Sequence, residues 1–296
     1  MTMKVETFED LDPAVRRLED LALGINNGVE TIVFRGHASE KYRLLNTWQR
    51  HRPLPLEQWQ DDVDQMLEAY KVGLEKIGVD SFDHRNRFEA LEHARHHGVP
   101  TPCLDFSYSP FVALFFAFDG VRRSMTAESG YSVVYGLNIS RLALTLASTK
   151  NDHGQANRDF HQPPDGFFAA GFPVGVLQFI PFPGRRNQRM QRQLGSFLYD
   201  TQNYRQLGCA DLEEYLEKLR EVPTQFPDGQ PCFAEQNVLF KLRINQSLVS
   251  EVFARLELMN ISAGQLYGDA DGVAHDVINA YNYNPRFSYL RDVKMT

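Results

Sequence analysis

Between residues 93 and 117 the chain reads His-Ala-Arg-His-His-Gly-Val-Pro-Thr-Pro-Cys-Leu-Asp-Phe-Ser-Tyr-Ser-Pro-Phe-Val-Ala-Leu-Phe-Phe-Ala. Histidine, threonine, aspartate and serine are thereby set between two apolar stretches, where a polar side chain is costly unless it is paired. Two accounts fit this density. Either the polar groups form a satisfied structural network, with Ser107 or Ser109 capping a helix that starts near Pro110, or they line a site for a polar ligand. A metal reading of His93, His96 and His97 with Asp105 is also open, since His93 and His97 stand one helical turn apart. The glutamate of His-Glu-x-x-His is missing, however, so a hydrogen-bonding role for His96 or His97 in a cleft is the simpler expectation.

Other residues with chemical potential lie far away in sequence. Thr31 to Phe34 is β-rich and ends at Arg35-Gly36, a short strand that delivers a guanidinium to its edge. Arg185, Arg186, Arg189 and Arg192 form a basic stretch beside Gln193, with Tyr199 and Tyr204 following. In an acidic protein this local excess suits the phosphates of a dinucleotide or a nucleic acid, or else it is a solvated turn.

The elements that must position these groups follow from periodicity. Asp12 and Pro13 start a helix on which Val15, Leu18, Ala22 and Ile25 share a face until Asn26-Asn27-Gly28. Trp59, Val63, Met66, Leu67, Tyr70 and Leu74 line a core helix that ends near Gly78. A second helix from Phe88 finishes at Gly98, and Pro110 to Phe118 suits a helix buried on all sides. Tyr131 to Leu137, Val176 to Ile180, Gly195 to Tyr199 and Val238 to Ile244 read as strands of one sheet. Ser148 to Pro173 reads as a long loop, either a lid or a disordered excursion. Leu248 to Met259 forms a last amphipathic helix before a turn-rich Gly268 to Gly272. The expectation is an α+β fold in a single domain over 1–296, with helices flanking a central mixed, mostly antiparallel sheet and residues 1–28 as an N-terminal helical segment.

Composition narrows the function classes. With 43% hydrophobic and 23% charged residues the 296-residue chain is an ordinary globular protein, and its net charge of -7 argues against a whole-surface grip on nucleic acid or an anionic membrane. No stretch approaches a membrane span and the first twenty residues lack a secretory pattern, so a cytoplasmic location is expected. Cys103, Cys209 and Cys232 are too few and scattered for a disulfide framework or a four-thiolate zinc site, and free thiols are expected.

Four motifs in order carry a resemblance. Phe34-Arg35-Gly36, followed by Tyr42-Arg-Leu-Leu-Asn-Thr and Arg50, looks like the signature of the FRG-domain family of bacterial proteins. The His-His-Gly-x-Pro-Thr-x-x-Leu-Asp-x-Ser run from His96 to Ser107 is similar to its second motif, and Asn187-Gln-Arg-Met-Gln-Arg-Gln193-Leu-Gly-Ser-Phe197 to its third. Ile261-Ser-Ala-Gly-Gln-Leu-Tyr-Gly-Asp-Ala-Asp-Gly272 resembles its closing motif, so the likeness spans about residues 30–275.

That family is itself remotely similar to the ADP-ribosyltransferase superfamily, which the resemblance extends to fold and site. It places Arg35 at the superfamily's first-strand position, Asp105, Ser107 and Ser109 at its second, and Gln193 at its third. It implies NAD bound in a cleft, with Arg35, Asp105, Ser107 and Gln193 as catalytic candidates. Arg35, Gly36, His96, Thr101, Ser107 and Ser109 are the cofactor-binding candidates. Cleaving the nicotinamide-ribose bond develops an oxocarbenium-like sugar, which a carboxylate near the ribose hydroxyl would stabilise. Arg35 offers a fork of donors for pyrophosphate or adenosine ribose, or an ion pair with Asp105. The family pattern is broken at Gln193, which carries no charge and cannot act as a base. Either Glu235 or Asp105 takes that role, or the domain binds a nucleotide without fast turnover. The first expectation is therefore an ADP-ribosyltransferase-like enzyme with a nucleotide ligand and a macromolecular acceptor, in phage defence or as a toxin. The others are a non-catalytic nucleotide-sensing or protein-interaction module, and a metal-dependent nuclease or hydrolase.

Overall fold

A computed structural model of the chain describes residues 3–23, 30–51, 59–79, 87–119, 121, 130–142, 177–180, 188–200, 209–219 and 237–283. Glu235, Cys232, Arg185, Arg186, Tyr204 and the expected loop at 148–173 lie outside the described residues. The fold is α+β. Among the described residues seven strands form one sheet: β1 (Met3–Phe8), β2 (Ile32–His37), β3 (Cys103–Ser107), β4 (Tyr131–Asn138), β5 (Leu177–Ile180), β6 (Gly195–Asp200) and β7 (Leu239–Asn245). Their spatial order is β1-β7-β4-β2-β3-β6-β5. Among these described strands β1 and β7 run parallel, and the other five pairings are antiparallel. The mixed, mostly antiparallel sheet is present as expected, with two strands that apolar periodicity did not mark: β1, which makes the start of the expected N-terminal helical segment a strand, and β3, in the polar stretch before Pro110.

One pairing differs from the rest. The β2–β4 register runs through six residues and β3–β6 through five, whereas β2 and β3 meet at Phe34 and Ser107 alone. Beyond that point the sheet parts along its middle. Successive side chains of a strand face opposite sides, so Ile32, Phe34 and Gly36 share one face of β2 while Val33, Arg35 and His37 share the other. The antiparallel partner Ser107 places Asp105 and Cys103 on the Phe34 face. Parting the strands lets Arg35 from one face and Asp105 from the other meet through the opening.

Helices cover both faces. On the Phe34 side, α1 (Leu11–Ala22), α5 (Pro110–Phe118) and α8 (Val249–Leu258) pack around Phe34, Val134, Phe240 and Leu242. The first helix starts at Leu11 with Asp10 as its cap residue, two positions before the expected Asp12, and Asp10 makes no side-chain cap bond. Pro13 falls inside its first turn, where the missing N–H is harmless. The fifth helix is buried all round as its composition requires, and Ser109 caps it by accepting a hydrogen bond from Val112 N. On the other face α7 (Leu212–Leu219) packs Leu212, Tyr215 and Leu216 over Leu104, Phe106, Tyr135 and Leu198. A third cluster joins α2 (Thr47–His51), α3 (Trp59–Lys76) and α4 (Arg87–His96) to Cys103, Phe197 and Tyr199. The fourth helix ends where Gly98 adopts φ +83°, a left-handed stop that glycine takes without strain.

The chain's expected turn at 268–272 is instead the junction of two helices, α9 (Ala263–Tyr267) and α10 (Ala270–Tyr283). Ser262 caps α9, Gly268 closes it at φ +73°, and Asp269 Oδ1 accepts from Gly272 N at 2.8 Å to cap α10. Asp and Gly are the right residues for these caps, which is why the segment reads as a turn from composition alone.

Candidate functional site

The parting of β2 and β3 opens onto a cavity of about 450 Å³ lined by the Phe34–Gly36 stretch of β2, Asp105–Ser107 of β3, α4, α5 and the short helix α6 (Gln188–Arg192) with the turn after it. Arg35 holds one edge. Its Nη1 donates to the Asp105 carbonyl at 2.8 Å, supplying the bond that a neighbouring strand would otherwise make, and stands 3.7 Å from the Asp105 carboxylate. Its Nε donates to His37 Nε2 at 3.0 Å. That ring must therefore be neutral, and burial first and Arg35 second hold its pKa down at about 3.

Asp105 is enclosed by cations yet opens onto the cavity, its side chain 39% accessible. Arg95, from the last turn of α4, forks onto both carboxylate oxygens and also donates from Nη1 to Thr47 Oγ1 at 2.7 Å. Burial alone would push the Asp105 carboxyl upward, but Arg95, then Arg35 and His96, hold it at about 2. Burial lowers Arg35 to about 10, opposed by Asp105, so it remains a cation at neutral pH. His96 is lowered to about 4, chiefly by burial, against the pull of Asp105. Its Nε2 is enclosed and makes no hydrogen bond among the described residues, which leaves a neutral imidazole nitrogen for a ligand.

The expected site residues divide. Arg35, Gly36, His96, Asp105, Ser107 and Gln193 all line the cavity; Thr101 and Ser109 do not. Thr101 is fully buried behind it, its backbone N–H bonded to Thr47 Oγ1 and its carbonyl accepting from Thr47 Oγ1 and Trp48 N. Ser109 serves α5 as its cap. Ser107 gives its proton to the Gln193 carbonyl at 2.7 Å and accepts from Ser109 N at 3.0 Å, tying the β3 end to the turn before β6. Gln193 itself lies in that turn, two residues ahead of the strand, and its Nε2 donates to Leu266 O at 3.4 Å. Gly36 has a packing role as well: a Cβ there would lie 2.0 Å from Ala113 O and 2.4 Å from Ala117 N, so β2 rests on the backbone of α5.

Sequence reasoning passed over several lining residues. Arg95 sits unremarked within the His-rich run; its signal was its place in the last turn of a helix that ends beside Asp105. Thr47 closes the Tyr42-Arg-Leu-Leu-Asn-Thr segment of the first motif without being singled out, and Phe116 offered no signal. Arg189, expected either to contact phosphates or to lie in a solvated turn, does line the cavity. Among the described residues no group of three His, Cys, Asp or Glu is placed to hold a metal. His93 and His97 do share a helix face, with ring centroids 4.6 Å apart, and His93 Nδ1 is 2.9 Å from the Tyr70 hydroxyl. Cys103 and Cys209 are buried, and burial raises Cys103 to about 12, which keeps it protonated. No helix among the described residues is long and apolar enough to cross a membrane.

In comparison with known protein families, the FRG-domain family model matches residues 30–125. That span contains β2, Arg35, Gly36, Arg95, His96, Asp105, Ser107 and α5. No curated protein and no solved structure matches the chain.

Proposed function

We propose that this chain, which carries an FRG domain over residues 30–125, binds NAD or a related phosphate-bearing nucleotide in the cavity between β2 and β3. The observation that carries the reading is the charge of the lining. Among the described residues that line the cavity, Arg35, Arg95 and Arg189 are set against one carboxylate, Asp105, in a chain whose net charge is -7. A concentration of guanidinium groups in an acidic protein is suited to phosphate oxygens, and the cavity is of the size usual for small-molecule sites. Its polar edge could hold a ribose or an amide through His96 Nε2 and Asp105.

Glycosyl transfer of the ADP-ribosyltransferase kind would draw on Asp105, which stays charged at any physiological pH and can supply negative potential beside a developing oxocarbenium ion. Two arginines already neutralise that carboxylate, and the Gln193 amide is engaged with Leu266. These two commitments favour a second reading alongside the first: a nucleotide-sensing module that binds firmly and turns over slowly. Incubation with NAD, followed by chromatography for nicotinamide and a melting curve, tests both. Binding raises the melting temperature, and Arg35→Ala abolishes the rise. Nicotinamide release that Arg35→Ala also removes identifies the enzyme; a thermal shift without release identifies the sensor. Neither shift nor release with NAD or ADP-ribose overturns the proposal.

A further inference from the structure

We propose that Arg189, stacked on Tyr267, is the group that grips the ligand's phosphate, and that Tyr267 is its positioning residue. The ligand's class rests on the nucleotide reading above, whereas the anion chemistry can be tested without it. The three lining guanidinium groups are not equivalent. Arg35 is engaged with the Asp105 carbonyl and His37, and Arg95 with both Asp105 oxygens and Thr47. Arg189 instead lies with Cζ 4.3 Å from the centroid of the Tyr267 ring, and no carboxylate among the described residues pairs with it. A guanidinium over an aromatic face is held by the ring without using up its N–H donors, which phosphate oxygens can meet two at a time.

The platform is fixed from several sides. The Tyr267 hydroxyl donates to Asp119 Oδ2 at 3.1 Å, and its ring lies against Phe115 and Phe116 at centroid distances of 6.4 and 6.2 Å. Arg192 Nη1 donates to the Tyr267 carbonyl at 3.3 Å. Phe116 also lines the cavity, so an apolar ring stands beside the cationic grip while His96 and Asp105 supply the polar contacts. This arrangement selects a ligand with phosphate at one part, a flat apolar surface at another and hydroxyl or amide groups at a third, which is the make-up of a nucleoside phosphate. Tyr267 belongs to the closing motif of the chain, so that motif would serve the site through Arg189 without touching the ligand.

Calorimetric titration with inorganic pyrophosphate tests the grip, and competition by ADP-ribose tests the ligand class. The wild type binds pyrophosphate; Arg189→Gln weakens it at least tenfold while retaining a cooperative melt. Tyr267→Phe keeps the ring and binds within about threefold of wild type, whereas Tyr267→Leu weakens binding as Arg189→Gln does. A general packing role for Tyr267 would instead lower the melting temperature of Tyr267→Leu while leaving its pyrophosphate affinity at the wild-type value. Should Arg189→Gln fail to fold, Arg189→Lys keeps the charge without the fork and is expected to bind several-fold more weakly than wild type. Pyrophosphate bound equally by wild type and the Arg189 variant, or not bound by the wild type, overturns the proposal. Pyrophosphate binding that depends on Arg189 but is not displaced by ADP-ribose upholds the grip and removes the nucleotide reading. NAD binding that is indifferent to Arg189 does the reverse.

Discussion

Asp105 holds two arginines at once, and this decides what its loss does. In Asp105→Ala the guanidinium groups of Arg35 and Arg95 remain enclosed without their counterion, and stability is expected to fall by about 3 kcal/mol in denaturant titration. Asp105→Asn keeps the shape and one acceptor, and is expected to lose less. Gly36 is constrained by space rather than charge. Its missing Cβ lets β2 lie on the Ala113 carbonyl and the Ala117 N–H, so Gly36→Ala must push α5 away and is expected to cost about 3 kcal/mol. A melting point within a degree of wild type for Gly36→Ala would show that the contact is loose. At this scale the sequence was partly legible. Arg35, Asp105, Ser107 and Gln193, drawn from three separate stretches, do converge on one cavity. Arg95 was not legible, because an arginine in the last turn of a helix is usually a solvated partner for the carbonyl ends there.

Five of the helices (α1, α3, α4, α5 and α8) and five of the strands could be read from the pattern of their apolar residues. β3 could not. It is five residues long, begins just after Pro102, and its alternate positions Asp105 and Ser107 face a polar cavity instead of a core. β1 was hidden for the opposite reason: it is an edge strand with Lys4, Val5 and Thr7 exposed, so no apolar stripe marks it. At the other end of the chain, Asp and Gly mark helix caps that look like turns. Asp276 on α10 accepts from Ala263 N and Gly264 N, both at 2.7 Å, and so closes the N-terminus of α9 from outside that helix. Asp276→Ala leaves two backbone donors without an acceptor and is expected to destabilise the pair by about 1–2 kcal/mol, measured by thermal melting. Because α9 carries Tyr267, the same variant is expected to weaken pyrophosphate binding, and hydrogen exchange should show faster opening of α9 and α10 than of β4 and β7.

Across the whole molecule, charge is separated: an acidic chain encloses a cationic cavity. Salt is therefore expected to weaken anion binding, and the loss between low and physiological ionic strength should be smaller for Arg189→Gln than for wild type. Protons act on the fold through its enclosed imidazoles. His37 and His96 have folded values near 3 and 4, below their ordinary 6.5, so the unfolded chain takes up protons that the native chain refuses. Native stability is thus expected to be full above about pH 6.5 and to fall as the pH drops toward 4. Asp105 adds a second loss only below its ordinary value of 3.8, as the pH falls toward 2. His96→Gln should flatten the first slope in melting curves recorded from pH 7 to pH 5, and an unchanged slope would mean that the ring is more open to water than its surroundings suggest.

The claim on which the rest depends is that the parted strands β2 and β3 enclose a site for a phosphate-bearing nucleotide. Isothermal titration of the full chain with NAD addresses it directly. The account predicts saturable binding of one molecule per chain, weakened by added salt and removed in Arg35→Ala. A flat titration with NAD and with ADP-ribose, or binding that Arg35→Ala leaves intact, would contradict it.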